Sequence, residues 1–584
     1  MEIFKNNGTT LYVENNDCLY STVVDIDVDD DADCVYLGCE DTFNLKIELK
    51  DSAKTFPQVK KIIIEECLSI EINNSMFPNV EYVDSYNASF YSSNVLIVAS
   101  GYDTLLNTFC RKEGELIDLN HCITIEEGAF DGCMSTNIVN TGFINSIHQN
   151  AFKNSAILDK ADKSKPFVII NDILIHVNDG FEEAELDESI SVIADDCDLN
   201  KLKRLIIHDA RMVKNMTSWP EEELVIIDNY FDFDAKTYEF INCKCKITLK
   251  NTRGYFSENG VTYTNDMSNL VFCANLKQKQ FKIPDGVKKI KGNAFVNCEF
   301  DELILPDSIT SIGMRGFFHC NIKKIRFSKN LREIDSFRFW DCNFEEPVII
   351  PGTIQVIEGF AFKKSSMPEI ILEEGVVKLK KDAFSSVNVT SKKVTLPKTL
   401  TKLEKFSLSE FRDVEVPYNN VSCLISAILS HNSVDYNLNN VTHIHINDKD
   451  FYIPHIYLLD YEKTNLLSKK IRSRKTNPKD FFEFYKNEIE DVRLKRIILL
   501  ELYMKTKDAT LGKYLKMCGI KLLANLLELN IEESVFIDVL KLEIFSKNAL
   551  MKSLEIANNQ NKIIISSYIM TMLQKKEKTD SFKL

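Results

Sequence analysis

The chain has 584 residues, 44% apolar and 27% charged, with a formal net charge of −15. This balance excludes an intrinsically disordered chain, and no apolar run approaches the roughly 18 residues that span a bilayer. The N-terminus, MEIFKNNGTTLYVENN, lacks the apolar core of a secretory signal, and the sixteen cysteines contain no C-x-x-C pair, so the expectation is a cytoplasmic protein in a reducing compartment.

Residues 1–50 read as an N-terminal β cap. In the run DIDVDDDADC, Asp25, Asp27 and Asp29 have the spacing of the first EF-hand ligands. Asp30 replaces the glycine of the sharp turn, and Tyr36 stands where a glutamate closes the calcium cage. The alternation of Val24, Ile26 and Val28 instead predicts an edge strand with a carboxylate-covered outer face.

Residues 51–215 form a first block of coils. KTFPQVKKIIIEECLSIEI and NSMFPNVEYVDSY are loose copies of a unit that sharpens in ITIEEGAFDGC and INSIHQNAFKNS, where Phe130 and Phe152 fall 22 residues apart. The stretch PFVIINDILIHVNDGFEEAELDESISVI predicts a β-hairpin inserted before a repeat. Residues 216–260 read as an irregular connection, with a second inserted hairpin starting at Gly254.

Residues 261–418 form a second block with a clear period. IPDGVKKIKGNAFVNC at Ile283 recurs as LPDSITSIGMRGFFHC, FSKNLREIDSFRFWDC, IPGTIQVIEGFAFKKS and LEEGVVKLKKDAFSSV. A degenerate copy, LPKTLTKLEKFSLSEF, comes next. Phe295, Phe317, Phe339, Phe362 and Phe384 lie 22, 22, 23 and 22 residues apart. Each unit ends in a short apolar alternation such as Phe300-x-x-Leu303-x-Leu305, the signal of one strand per coil. Units this short bury their apolar positions only against one another, which predicts a solenoid with these phenylalanines in one interior column.

Ile-Pro, then Val or Ile, then Ile-Gly-x-x-Ala-Phe-x-x-Cys resembles the BspA-like class of leucine-rich repeats from about Cys122 to Val416. The resemblance implies a mixed β/α fold: a leucine-rich-repeat solenoid with a short parallel strand per coil and inserted β-hairpins, followed by an all-α helical-hairpin domain. Its better-known members are exported or surface-displayed. The helical tail here is similar to that of some intracellular bacterial members.

Residues 419–462 are expected to cap the solenoid, and 463–584 to form a basic α-helical domain with an ankyrin-like final helix pair. Asn477-Pro478 reads as a helix start, RLKRIILLELYMKTKD carries a long apolar face, and Gly512 and Gly519 punctuate shorter pieces. From residue 463 onward Lys and Arg outnumber Asp and Glu 24 to 15, against 71 to 86 overall.

No phosphate-binding glycine loop, nucleophile elbow or HExxH occurs, so no catalytic residue, cofactor or metal is assigned. Cys133, Cys298, Cys320 and Cys342 share one repeat position, where a small thiol suits a tight turn. Cys243-Lys244-Cys245 lacks the partners of a zinc site. His443 and His445 share a strand face, without a third ligand to make a metal site.

A stacked sheet presents its non-core positions as one curved surface. The candidate binding residues on this concave face are Glu302, Ile304, Lys324, Arg326, Glu346, Val348, Glu369, Ile371, Lys393 and Glu415, within an outward set that also holds Arg412. Their alternating charge bands argue against nucleic acid along this face and favour either a protein partner or pairing among the bands themselves. Lys469, Lys470, Arg472, Arg474 and Lys475 are the candidate anion-binding cluster, with solvation or docking on the acidic solenoid as alternatives. The reading is a non-enzymatic interaction scaffold for a protein partner. Its rivals are a nucleic-acid-associated regulator acting through the basic helices and a surface adhesin.

Overall fold

The computed structural model describes residues 2–15, 20–39, 44–99, 101–229, 240, 243, 245–250, 252–417, 422–429, 438–455, 461–529 and 531–581. Lys244, named in the motif above, lies outside this set, as do Asn420 and residues 456–460 of the expected cap and residues 230–239 of the expected connection. The chain forms two compact units, Met1–Asn265 with Cys273–Asn275, and Asp266–Phe272 with Leu276–Leu584.

In the first unit, Glu2–Asn6 and Thr9–Asn15 form a hairpin, and Ser21–Val28 lies antiparallel to the second strand. The start of Ser21–Val28 pairs parallel with Leu45–Leu49, so this strand is interior to its sheet and not the edge strand its pattern predicts. A bulge opposite Tyr12 and Val13 puts Val23 inside and turns Val24 to solvent, because one extra residue reverses the strand's faces. Asp25 and Asp27 are held by Lys54 Nζ at 2.7 and 2.9 Å, and Tyr12 donates its hydroxyl to Asp27. The lysine hydrogen bond keeps the Asp27 carboxyl below its ordinary range, so two of the three candidate calcium ligands are already paired with an ammonium.

Parallel ladders come next. Cys34–Leu37, Lys61–Ile64 and Tyr82–Ser85 stack in register, and Phe130 and Phe152 stack at 4.5 Å. Phe167–Ile170 and Ile173–Val177 are the first expected hairpin, whose second strand then pairs parallel with Val192–Ile193. The ladder Glu183–Leu186, Arg204–Ile207, Glu223–Ile227, Lys246–Lys250 runs on through residues expected to be irregular. The second expected hairpin, Tyr255–Glu258 with Val261–Thr264, turns at Asn259-Gly260, both at positive φ as a tight two-residue loop requires.

The second unit contains the regular coils. Lys277–Lys282, Glu299–Ile304, Asn321–Arg326, Asn343–Phe344, Ser366–Met367 and Asn388–Val389 form one parallel sheet. A second ladder, Glu333–Ile334, Val356–Ile357, Lys378–Leu379 and Lys402–Leu403, covers another side of the coils. Between them the five phenylalanines are fully buried, as predicted. Successive ring centroids from Phe295 to Phe384 lie 4.8, 5.0, 5.2 and 6.3 Å apart. The cysteines of these coils are buried beside this column: Cys298 and Cys320 donate S–H to the carbonyls of Val296 and Phe318, and Cys342 donates to Phe317 O at 3.5 Å, nearer than Trp340 O. In the next coil Ser365 takes the role, donating to Phe339 O and accepting from Cys342 N. Adjacent turns touch at Gly375, with φ +118° and space for no side chain: a Cβ there would lie 2.2 Å from Gly352 O.

The array ends in Asp413–Val416, parallel to Val441–Ile446, which folds back on Lys449–Pro454 as a hairpin. Beyond it lie the helices Tyr461–Arg472, Asp480–Glu488, Val492–Thr506, Ala509–Met517, Gly519–Glu528, Glu533–Leu540, Lys547–Asn559 and Ile563–Ser581. The Asn477-Pro478 helix starts at Asp480, with Pro478 in the turn before it. Gly512 is no break: it lies inside Ala509–Met517, where a Cβ would meet the Tyr503 ring at 2.9 Å. Asp491 and Asp508 cap their helices by accepting two backbone N–H groups each.

The helices seat directly on the last strands. Phe451 meets Phe481 edge-on at 5.3 Å. Glu501, only 4% exposed, accepts the backbone N–H groups of Asn440 at 2.7 Å and Val441 at 3.1 Å. Burial pushes its carboxyl up to about 7, although these hydrogen bonds and the charges of Lys505 and Arg412 oppose the shift.

Phe339→Ala should cost about 3–5 kcal/mol by denaturant unfolding, since the ring is buried between two others. Glu501 binds its proton more tightly folded than unfolded. Its contribution is therefore complete below the ordinary glutamate range and lost as pH rises through about 7. The melting temperature should fall from pH 5 to pH 8 by a margin that shrinks in Glu501→Gln.

Candidate functional site

The strand face of the second unit is built by a simple rule. Phe300, Leu303 and Leu305 point inward, as do Ile322 and Ile325 in the next coil, which leaves the residues between them outside. Lys324, Arg326, Ile371 and Lys393 are exposed, and Glu302, Ile304, Glu346, Glu369 and Glu415 are half-buried.

Val348 departs from the expectation. It is 1% exposed, and Ile349, at 43%, takes the outward position beside Ile371. The cause is the single 23-residue spacing, between Phe339 and Phe362. Asn343 pairs with Ser366, 23 residues on, whereas Val348 pairs with Ile370, only 22 on. The extra residue therefore lies in Glu345-Glu346-Pro347, after Phe344, and reverses the faces of the strand beyond it. Arg412 also departs: it is half-buried, its Nη1 donates to the carbonyls of Ser409 and Phe411, and its Nε is buried without a partner.

The charge bands pair with one another. Glu302 accepts from Gln280, which is the larger influence holding its carboxyl low, and from Arg326 Nε at 2.6 Å. Glu415 takes Lys393 at 3.3 Å. Exposed pairs of this kind contribute about 0–1 kcal/mol each; they fill the face without forming the continuous basic track that phosphates need.

His443 and His445 do share the outer face of Val441–Ile446. Both bond Asp450 Oδ1, at 2.9 and 2.8 Å, and His443 Nδ1 lies 3.0 Å from Asp413. The Asp450 hydrogen bond raises the His445 pKa. Among the described residues no group of three His, Cys, Asp or Glu is placed to hold a metal ion.

Of the basic cluster, Lys469, Lys470 and Arg472 end the helix Tyr461–Arg472, where positive charge favours the helix dipole. Lys470 Nζ lies 5.9 Å from the Phe484 ring centroid, and Arg472 Nε donates to Ser468 O. Arg474 and Lys475 are exposed in the following turn, whose carbonyls at Arg474 and Thr476 accept Lys449 Nζ at 2.8 Å. A cleft of about 610 Å³ in the first unit is lined by Lys50, Asp51, Glu71, Glu126, Glu127 and Asp131 among others, and its lining includes no Cys, Ser or His.

The sequence reading misses Ile349: the 23-residue spacing signals one inserted residue in this coil, and the strand pairing places it before Val348. Val348→Asp should lower stability by several kcal/mol through an unpaired buried charge, while Ile349→Asp changes it by less than about 1 kcal/mol. Paired thermal melts check the difference.

No curated protein matches this sequence. Among solved structures, the pneumococcal vaccine antigen PcpA is 14% identical over 72% of this chain and 96% of its own, with a TM-score of 0.27. A leucine-rich cell surface protein from Faecalibacterium prausnitzii is 13% identical over 69% and 94%, with a TM-score of 0.21. A leucine-rich repeat protein from Eubacterium ventriosum is 12% identical over 76% and 96%, with a TM-score of 0.20. Among the described residues no helix is long and apolar enough to cross a membrane. The sequence profile of the BspA type leucine-rich repeat region matches in six copies, over residues 107–216, 265–390 and 332–453, together more than half of the chain. With its 22-residue coils and interior phenylalanine column, this chain belongs to the BspA-type leucine-rich repeat family.

Proposed function

We propose that the chain is a non-enzymatic protein-recognition scaffold working through the strand face of its second unit. One observation carries this reading: Ile349 and Ile371 are exposed side by side, at 43% and 39%, on adjacent paired strands. Around them the face is charged, and part of that charge is already neutralised within it. An aliphatic pair inside such a rim supports a contact that gains affinity from apolar burial and register from charge.

We place the protein in a reducing compartment. Cys298, Cys320 and Cys342 serve as S–H donors to buried carbonyls, a role that requires free thiols, and Cys423 is exposed and free. Surface display, the adhesin reading, would set that free thiol against oxidation.

Affinity capture with the intact chain and with Ile349→Asp/Ile371→Asp tests the surface. A partner held by the native chain should be lost, by about tenfold or more, from the double variant at unchanged melting temperature. Equal retention by both removes this face from the function.

A further inference from the structure

A second surface lies at the turn that precedes each interior phenylalanine of the second unit. Asn293, Arg315, Phe337, Phe360 and Asp382 occupy equivalent places in successive coils, all with φ between 52° and 61°. Their backbones form a ladder: Arg315 N donates to Phe337 O, Phe337 N to Phe360 O, and Phe360 N to Asp382 O, at 2.9 to 3.1 Å. The coil therefore demands the left-handed conformation here. Asparagine, aspartate or glycine adopts it with least strain, as Gly128 and Asn150 do in the first unit. A larger side chain there costs about 1–2 kcal/mol. Three consecutive coils nevertheless carry Arg, Phe and Phe.

These side chains are half-buried, outside the core column. Phe337 stacks on Phe360 at 5.7 Å and lies 5.3 Å from Trp340, which Phe318 meets edge-on at 6.3 Å. Two cations from the coils before and after complete the cluster: Arg315 Cζ is 4.0 Å, and Lys363 Nζ 5.4 Å, from the Trp340 ring centroid. Acidic neighbours are already engaged, Asp335 by Arg338 at 2.8 Å and Asp341 by His319 at 3.2 Å. Arg315 and Lys363 have no such carboxylate among the described residues, and Arg315 Nε is buried without a hydrogen-bond partner.

We propose that this cluster docks an acidic peptide segment of a protein partner, one that carries an apolar side chain next to its carboxylates. The two cations held on one ring supply the countercharge, and the edges of Phe318, Phe337 and Phe360 supply the apolar seat. Trp and Arg together in a half-buried cluster have the composition of an interface hot spot. Two isolated cations among engaged acids do not form a phosphate track, and Arg315 already covers the Trp340 ring, which disfavours base stacking. The proposal rests on the protein-recognition reading but uses a different surface.

The chain has two tryptophans, and Trp219 is buried in the first unit, so Trp219→Phe leaves Trp340 as the single reporter in the intact protein. Phage-displayed random dodecapeptides are selected on this protein, and synthetic copies of the enriched sequences are titrated by Trp340 fluorescence. Enrichment of Asp or Glu beside Phe or Leu is expected, with binding weakened about tenfold or more in Arg315→Ala/Lys363→Ala. Phe337→Asn/Phe360→Asn should lose binding as well while keeping or raising the melting temperature, because asparagine suits the backbone. Ile349→Asp/Ile371→Asp should leave peptide binding unchanged, which separates this proposal from failure of the strand face. Enriched peptides without acidic residues, no enrichment at all, or equal binding to the Arg315/Lys363 variant would overturn it. So would a response to oligothymidylate in place of acidic peptides, or a lower melting temperature for Phe337→Asn/Phe360→Asn, which would assign the rings to stability.

Discussion

A coil of about 22 residues is too thin to have an interior of its own, and the organisation of the second unit depends on how neighbouring coils supply one. Parallel strands are held about 4.8 Å apart by their backbone hydrogen bonds, and a flat ring is the side chain that repeats at that rise and still fills the space. The centroid separations of 4.8, 5.0 and 5.2 Å match this rise, and the rings are within 10° of parallel. At Phe384 the separation opens to 6.3 Å and the angle to 23°, close to the end of the sheet at Asn388–Val389. The buried rings, at about 2–3 kcal/mol each, set the register that every other residue inherits.

The same constraint decides what is left for partners. Inward positions are committed to neighbouring coils, so chemistry is confined to outward strand residues and to the turns. On the strand face, much of the charge is neutralised internally, and the aliphatic pair Ile349 and Ile371 stands out against it. At the far end, the last strands would present open backbone edges and core, and helices seated through Phe481 and Glu501 cover them. The basic composition of this helical region has a partly local explanation, since Lys469, Lys470 and Arg472 complete a helix terminus and Lys449 pins the turn after it.

The solenoid was legible because its signal repeats: the spacing of Phe295 to Phe384 is visible without any knowledge of contacts, and the cysteine column shares its period. The parts that were not legible depended on single residues. The spacing of Phe300 to Ile304, extended one coil further, puts Val348 outside because it crosses an insertion whose location only the pairing register reveals. The bulge at Val24 is the same error at smaller scale. Gly512 read as punctuation because nothing in the sequence shows that Tyr503 needs its missing side chain. Arg412 read as a surface charge because its carbonyl acceptors, on Ser409 and Phe411, are fixed only by the local turn. Glu501 carried no motif at all; its importance comes from the two distant amides it happens to meet.

The insertion at Glu345-Glu346-Pro347 has a further meaning. Because strand pairing regains its 22-residue offset at once, from Val348 to Ile370, the surplus length is absorbed within one corner and does not propagate down the array. The corner works as a phase buffer: stacking order is stored in the aromatic column, while chain length can drift at this bend. Such an array can diversify its outer contour by local gain or loss of residues without renegotiating its interior.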